Sequence, residues 1–391
     1  MWKGEKYKIF LEQHKFFAYS LIFSNLYPNV ASTGRQRVIA MLILLFCIPP
    51  TWAVVNFIWH CFHNGQYTLL TNEISTTIPI TMFFFKLYTI SVYPKENLQV
   101  IKIIDQDMLE WNNLDECYKK IINKALDYVK MGKYCWIFVV SLILLCYAGL
   151  SACNILINYI INNETMGKHL MIHPLRFPFL GTRQYQSPYF QIIWIYQFCI
   201  NIIVGISFPG YDGLAIVAVT HVGIKLKLLS RKMKEIFKSS TTVEELRLRV
   251  IDIVKEHQEA LDMYELIQNN YGSWLLMIFL VTSLLLALNL YQMMIIIEPR
   301  HMMFSAITLL HAFLPCYFSS RLNEIGNQIP DEFYSCGWHL WQDPSTTRTV
   351  TFMIARAQQP FFLKAQKFFV FNVELFSAMI KTSYSIYALF K

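Results

Sequence analysis

Seven stretches of roughly 20 mostly apolar residues recur along this 391-residue chain, each long enough to cross about 30 Å of hydrocarbon as a helix. Lipid offers no hydrogen-bond partners, and a helix is the open-ended structure that satisfies its own backbone there. Five spans are plain: Val38 to Cys61, Cys135 to Ile157, Ile192 to about Lys225, Trp274 to Ile297 and Phe368 to Phe390. The second, Leu69 to Val92, carries Asn72, Glu73, Pro79 and Lys86. A charge at mid-bilayer costs about 2.5 to 3.5 kcal/mol on insertion scales, so these groups are expected to face protein or water. The sixth, His301 to Phe318, is short and runs on through Ser319, Arg321 and Glu324, which predicts a helix continuing below the membrane. With 55% hydrophobic and 15% charged residues, the composition excludes a soluble α/β enzyme of this length.

Charge orients the spans. Of the 34 Lys and Arg, 27 fall in the N-terminal arm and even-numbered connections and 5 in the odd-numbered connections and C-terminal tip, with Lys86 and Lys381 inside spans. The positive-inside rule therefore predicts a cytoplasmic N-terminus and, after an odd number of crossings, an extracellular C-terminus. This is inverted relative to a G-protein-coupled receptor, and a DRY-like triplet after span three and an NPxxY in span seven are missing too. The net charge of +8 flanks apolar spans, which fits anionic lipid headgroups and argues against nucleic acid. The first 25 residues lack the apolar core of a signal peptide, so the first span is expected to direct insertion. The sequon Asn163-Glu164-Thr165 falls on the connection after span three, where topology demands the outside.

Other features predict packing, not bond-making. Pro49-Pro50 in span one and Pro209-Gly210 in span four are expected to kink or unwind their helices. Between Lys225 and Tyr271, Leu226, Leu229, Met233, Ile236, Leu246, Val250, Ile253, Val254, Leu261 and Leu266 recur at helical spacing amid dense charge. Spans four and five thus project into the cytoplasm as amphipathic helices that must pack on each other or on another subunit. Nine scattered cysteines with no CxxC pair make neither a disulfide framework nor a zinc site. Walker, GxSxG, HExxH and GxGxxG signatures are missing, and His221 and His311 read as helix-interface residues, so no enzyme activity, cofactor or metal is expected.

The most specific stretch runs from Phe333 to Lys391. Its layout places Tyr334 and Trp338 before a polar amphipathic helix ending Ala357-Gln358-Gln359-Pro360, then a last span with Glu374-Leu375-Phe376 and Ser383-Tyr384-Ser385. This resembles the insect odorant receptors. Upstream, the prolines at His173-Pro174, Phe177-Pro178 and Ser187-Pro188, the Tyr189 and Gln197 pair, the lysine in span two and the inverted topology agree. Without the longer cytoplasmic insertion or a TYFxxLxQF-like ending, the chain looks like a variable odour-tuning subunit and not the shared co-receptor. A gustatory receptor of the same superfamily is the nearest rival, and its usual TYxxxLxQF ending is missing. A G-protein-coupled receptor is a rival from another class, opposed by the inverted topology, and a transporter is the third, for which inverted repeats and paired broken helices are not apparent.

The resemblance implies an all-α membrane protein with seven transmembrane helices and a cytoplasmic helical anchor, forming a tetrameric, odorant-gated, non-selective cation channel with co-receptor subunits in the plasma membrane of a sensory dendrite. The chain then divides into a cytoplasmic arm (1–37), helices one to six with the ligand pocket (38–318, with cytoplasmic extensions 93–134 and 226–273), an anchor region (319–367) and a pore-lining last helix (368–391). Tyr334 and Trp338 would make anchor contacts. The gate would be an apolar ring at Ile386 and Phe390, with Met379 and Ser383 continuing that face inward, blocking ions by dewetting. The pocket for a small volatile would draw Phe83, Phe84 and Tyr88 from span two and Tyr147, Leu150, Ser151 and Asn154 from span three. Tyr196 and Ile200 from span four and Met303, Phe304 and Ile307 from span six would complete it.

Overall fold

The computed structural model describes residues 7–28, 33–161, 171–173, 177, 180–295 and 299–389. The sequon at Asn163, the gate position Phe390 and the loop prolines Pro174 and Pro178 lie outside the described residues.

The described chain is helical almost throughout. Two short helices, α1 (Lys8–Gln13) and α2 (Lys15–Phe23), precede α3 (Thr33–His63) and α4 (Tyr67–Val92), the first two predicted spans. Next come α5 (Pro94–Trp111), α6 (Glu116–Leu144), a π-helical turn at Leu145–Gly149, and α7 (Leu150–Ile161). Then follow α8 (Tyr189–Ser239), α9 (Val243–Ile295), α10 (Pro299–Tyr334), α11 (Pro344–Ala357) and α12 (Val373–Leu389). Among the described residues, five helical segments are long and apolar enough to cross a membrane: Gly34–His63, Glu116–Ile157, Tyr189–Ser239, Val243–Ile295 and His301–Leu340. Outside this set fall α4, which carries Glu73 and Lys86, and α12, with 17 described residues.

Helix α8 is the pillar of the molecule. At 1.5 Å per residue its 51 residues extend roughly 77 Å, and α2, α6, α9 and α10 all pack along it. The periodicity between Lys225 and Tyr271 marks true core: Leu226, Met233, Leu246 and Val250 are fully or almost fully buried where α8 and α9 pack on each other. Ile236 and Leu266 are half-buried, and Val254 is exposed. Helix α10 likewise runs on past Arg321 to Tyr334, as predicted for the sixth span.

Neither proline pair interrupts its helix. Pro50 has no N–H to offer the carbonyl of Phe46, four residues back; the Tyr196 hydroxyl on α8 donates to that carbonyl instead. In α8, Pro209-Gly210 sits where the N-terminal arm docks. A Cβ on Gly210 would lie 3.0 Å from the backbone of Ser20 and Leu21, and one on Gly213 only 2.1 Å from the Phe17 ring. The missing side chains admit α2, whose Phe17, Ala18 and Leu21 are almost completely buried.

The last span starts later than its hydropathy suggests. Residues Lys364–Ala365 and Phe369–Val370 form a two-stranded antiparallel hairpin, β1 and β2, and the helix begins only at Val373. Tertiary bonds outcompete the helix here. The Leu363 N–H donates to Ser319 Oγ (2.8 Å), the Phe361 N–H to Asn323 Oδ1 (3.1 Å) and the Phe371 N–H to the Leu363 carbonyl (2.8 Å). Phe369 meanwhile stacks on Phe279 with centroids 4.2 Å apart.

Candidate functional site

A cluster of aromatic and aliphatic side chains closes one end of the helical bundle. At its centre Tyr147 meets Phe304 edge to face at 6.1 Å and packs with Ala148, Ile172 and Leu285, while Met303, Trp194, Phe198, Ile78 and Val281 border it. The π-helical turn that carries Tyr147 adds a residue to the helical register. Tyr147 therefore points inward while Leu150, expected on the same face, is more than a third exposed.

A segment of the connection between α7 and α8 covers this cluster. Ile172 is completely buried and Met171 nearly so. Gln197 holds the segment at two points: it accepts from the His173 N–H and donates to the His173 carbonyl, both at 3.0 Å. One turn along α8, Asn201 lies 3.2 Å from the His173 ring. The Ser151 hydroxyl, fully buried, accepts from the Trp194 indole at 2.9 Å, and Trp194 stacks on Phe198 at 5.4 Å.

Of the residues expected in the pocket, Tyr147, Ser151, Met303 and Phe304 come together here. Phe83, Ile200 and Ile307 belong instead to the main core, with Phe84 on its border. Asn154 is half-buried on α7. Tyr88 is 61% exposed, and Tyr196 turns towards α3, its ring 4.6 Å from that of Phe46. Ile172, His173, Trp194, Phe198 and Leu285 complete the cluster without having been singled out in the sequence. Trp194 and Gln197, three apart at the head of span four, carried the signal; nothing in periodicity marked the loop residues.

Deeper in the bundle the lysine of α4 finds its counter-ion. Lys86 is completely buried, its ammonium 3.0 Å from Asp212 Oδ2 on α8 and 3.7 Å from the Phe208 ring centroid. Asp212 also accepts from the Trp274 indole, and His311 Nε2 lies 3.4 Å away. The expectation that Glu73 and Lys86 face protein is met by both, 1% and 0% exposed. An aspartate inside an apolar span is itself a signal of such a partner. The adjoining cavity between Trp136, Asp212, Trp274 and His311 measures about 30 Å³, which suits water, whereas small-molecule pockets run to several hundred Å³.

On the last helix, Met379 and Ser383 are buried by their own chain, where α12 packs on α9 and α10. A pore face shared with other subunits is open in a single chain, so these two positions belong to internal packing, and Ile386 beside them is half-buried. In the anchor, Tyr334 is exposed and meets the half-buried Trp338 at 6.3 Å. Asp343 caps α11, accepting from Thr346 N (3.1 Å) and Oγ1 (2.6 Å) and, in a two-point pair, from Arg247 Nε (3.0 Å) and a terminal guanidinium nitrogen (2.6 Å). Those donors, Arg247 first, hold its carboxyl well below the usual range. Among the described residues the cysteines are free and no His, Cys, Asp and Glu group is arranged to hold a metal.

The arrangement is that of a multi-pass helical membrane receptor with an enclosed apolar cluster at one end of its bundle. The pattern of the 7tm Odorant receptor family matches residues 66–384, and the chain belongs to that family. Odorant receptor 2a of Drosophila melanogaster is 34% identical over 86 residues, 22% of this chain and 21% of the relative. Odorant receptor 67c of the same species is 24% identical over 221 residues, 55% of this chain and 53% of the relative. The chain thus spans between about a fifth and little more than half the length of these two relatives. The fold matches the insect olfactory receptor OR5 from Machilis hrabei, solved in complex with eugenol, at a TM-score of 0.77 and 16% identity, covering 98% of this chain and 99% of that one. The family is one of receptors, not enzymes.

Proposed function

We propose that this chain is the odour-tuning subunit of a ligand-gated, non-selective cation channel that assembles with co-receptor subunits as a tetramer in the plasma membrane of a sensory dendrite. Seven spans cross the membrane with the N-terminus in the cytosol, as the distribution of Lys and Arg requires. A small volatile odorant binds in the outer half, against Tyr147, Met303 and Phe304. The observation that carries this reading is the covered cluster, where apolar burial supplies affinity and Ser151 with Trp194 supplies a polar contact. OR5, of the same fold, was solved with the small aromatic eugenol, which supports a ligand of similar size.

Binding moves α7, α8 and α10 against one another and widens an apolar ring on the last helix, at Ile386 and Phe390. Large apolar side chains exposed on the anchor, Leu248, Ile251, Val254, Leu340 and Phe352, support burial against neighbouring subunits. Tyr334 and Trp338 join that interface, and Asn163 in the outer connection takes the glycan.

Currents from cells expressing this chain with a co-receptor test the reading. Application of an odorant panel should evoke inward current that neither subunit gives alone, and Phe304→Ala should raise the half-maximal concentration about tenfold or more at equal surface expression. Silence across the panel with the chain at the surface rejects it.

A further inference from the structure

At the opposite end of the bundle from the aromatic cluster, α6, α8 and α10 diverge around a cavity of about 220 Å³. Three of its lining residues are cations, Lys124, Lys227 and Arg321, one from each helix, and none of the lining residues is a carboxylate. Among the described residues no carboxylate lies within ion-pair distance of any of the three. Arg321 is held in place from below, its guanidinium carbon 3.4 Å from the centroid of the Tyr128 ring. Lys227 is half-buried. The rest of the wall is apolar or small, with Gly223 and Thr220 at the back.

Converging three like charges on one cavity is unfavourable for the empty protein, and the cost shows on Lys227. Burial, then Arg321 and Lys124, push its ammonium below the usual lysine range, and the carboxylates of Glu324 and Glu332 oppose this only in part. Other ammonium groups of this surface have resolved the same problem with carboxylates, as Lys232 does with Glu256 at 2.6 Å and Lys225 with Asp107 at 2.8 Å. Here the counter-charge is missing while the space for it is present. A ligand with several acceptor oxygens and more than one negative charge satisfies a planar guanidinium and two ammonium groups together.

We propose that this cavity is a binding site for a phosphate ester, the headgroup of a phosphorylated inositol lipid or a soluble inositol phosphate. The placement favours a role in coupling, since occupancy ties together the cytosolic ends of α6, α8 and α10, whose other ends frame the aromatic cluster. That the lipid source is the inner leaflet rests on the cytoplasmic N-terminus proposed above; the charge and shape of the cavity do not.

The test uses the purified full-length chain in phosphatidylcholine nanodiscs, with phosphatidylinositol bisphosphate in the disc or inositol trisphosphate in solution as probes. Binding is read by lipid retention in native mass spectrometry and by thermal stabilisation. The wild-type chain should bind one or both probes, and Lys227→Gln and Arg321→Gln should each weaken binding about tenfold. Lys227→Gln relieves repulsion in the empty cavity, so it should fold at least as well as the wild type. Ala125→Phe, which fills the cavity and keeps all three charges, should also abolish binding. Lipid retention that the soluble probe does not displace assigns the site to a lipid; displacement assigns it to the phosphate group whatever its source. Failure of both probes overturns the proposal. So does binding that survives Ala125→Phe, or a loss in Lys255→Gln, an exposed lysine outside the cavity, as large as that in Lys227→Gln.

Discussion

At the scale of single residues, three buried titratable groups carry the sharpest expectations. Lys86 and Asp212 are 0% and 8% exposed, so removing one leaves the other as an uncompensated charge, at about 3–5 kcal/mol. Lys86→Met should therefore abolish folded, detergent-extractable protein by size-exclusion chromatography, and Lys86→Met with Asp212→Leu should recover part of it. Failure of the pair to recover anything would mean that Phe208 and Trp274, and not Asp212, set the need for a cation. In the N-terminal half of α9, burial first and Arg356 second lower the His257 imidazole to about 4. The folded value lies below the unfolded one of 6.5, so the unfolded chain binds more protons between them. The contribution is complete above that unfolded value and is lost as pH falls towards about 4. Melting curves should show roughly 1 kcal/mol of extra destabilisation on going from neutral pH to about 5.5, and His257→Phe should flatten that part of the pH dependence.

At the scale of elements, the long apolar helices and the amphipathic continuations of α8 and α9 are legible in the sequence because both arise from local periodicity. What is not legible arises from contacts between distant segments. Pro209-Gly210 reads as a break, yet Gly210 and Gly213 are the seat for α2, some 190 residues earlier in the chain. The hairpin before α12 carries apolar residues that suit a span equally well, and hydrogen bonds to Ser319 and Asn323 decide the matter. The π-helical turn at Leu145–Gly149 rephases the third span, and Leu150, placed by ideal helical spacing on the face of Tyr147, falls outside the cluster. The docking of α2 is testable through its tightest point. Gly213→Ala forces the Phe17 ring to move and should cost about 1–3 kcal/mol, seen as a lower melting temperature. In a Phe17→Leu background, the same change should cost distinctly less. Equal costs in both backgrounds would show that α2 does not sit on Gly213.

At the scale of the whole molecule, the covered cluster, the buried Lys86 and Asp212 pair and the phosphate-sized basic cavity lie in succession along α8 and α10. The last helix packs on α9 and α10, so movement of α10 at the cluster reaches the proposed pore without passing through the anchor. In the proposed assembly the anchor, with its capped α11 and exposed apolar side chains, holds subunits together while the membrane half rearranges. Orientation, assembly and gating all belong to one account, in which an odorant enclosed near the outer face opens a conduit surrounded by last helices. A density map of the chain assembled with its co-receptor and an activating odorant tests that account most directly. It predicts ligand density between Tyr147, Phe304 and the segment at Ile172, with the last helices around a common axis. Ligand density outside that cluster, or a last helix turned towards lipid, contradicts it.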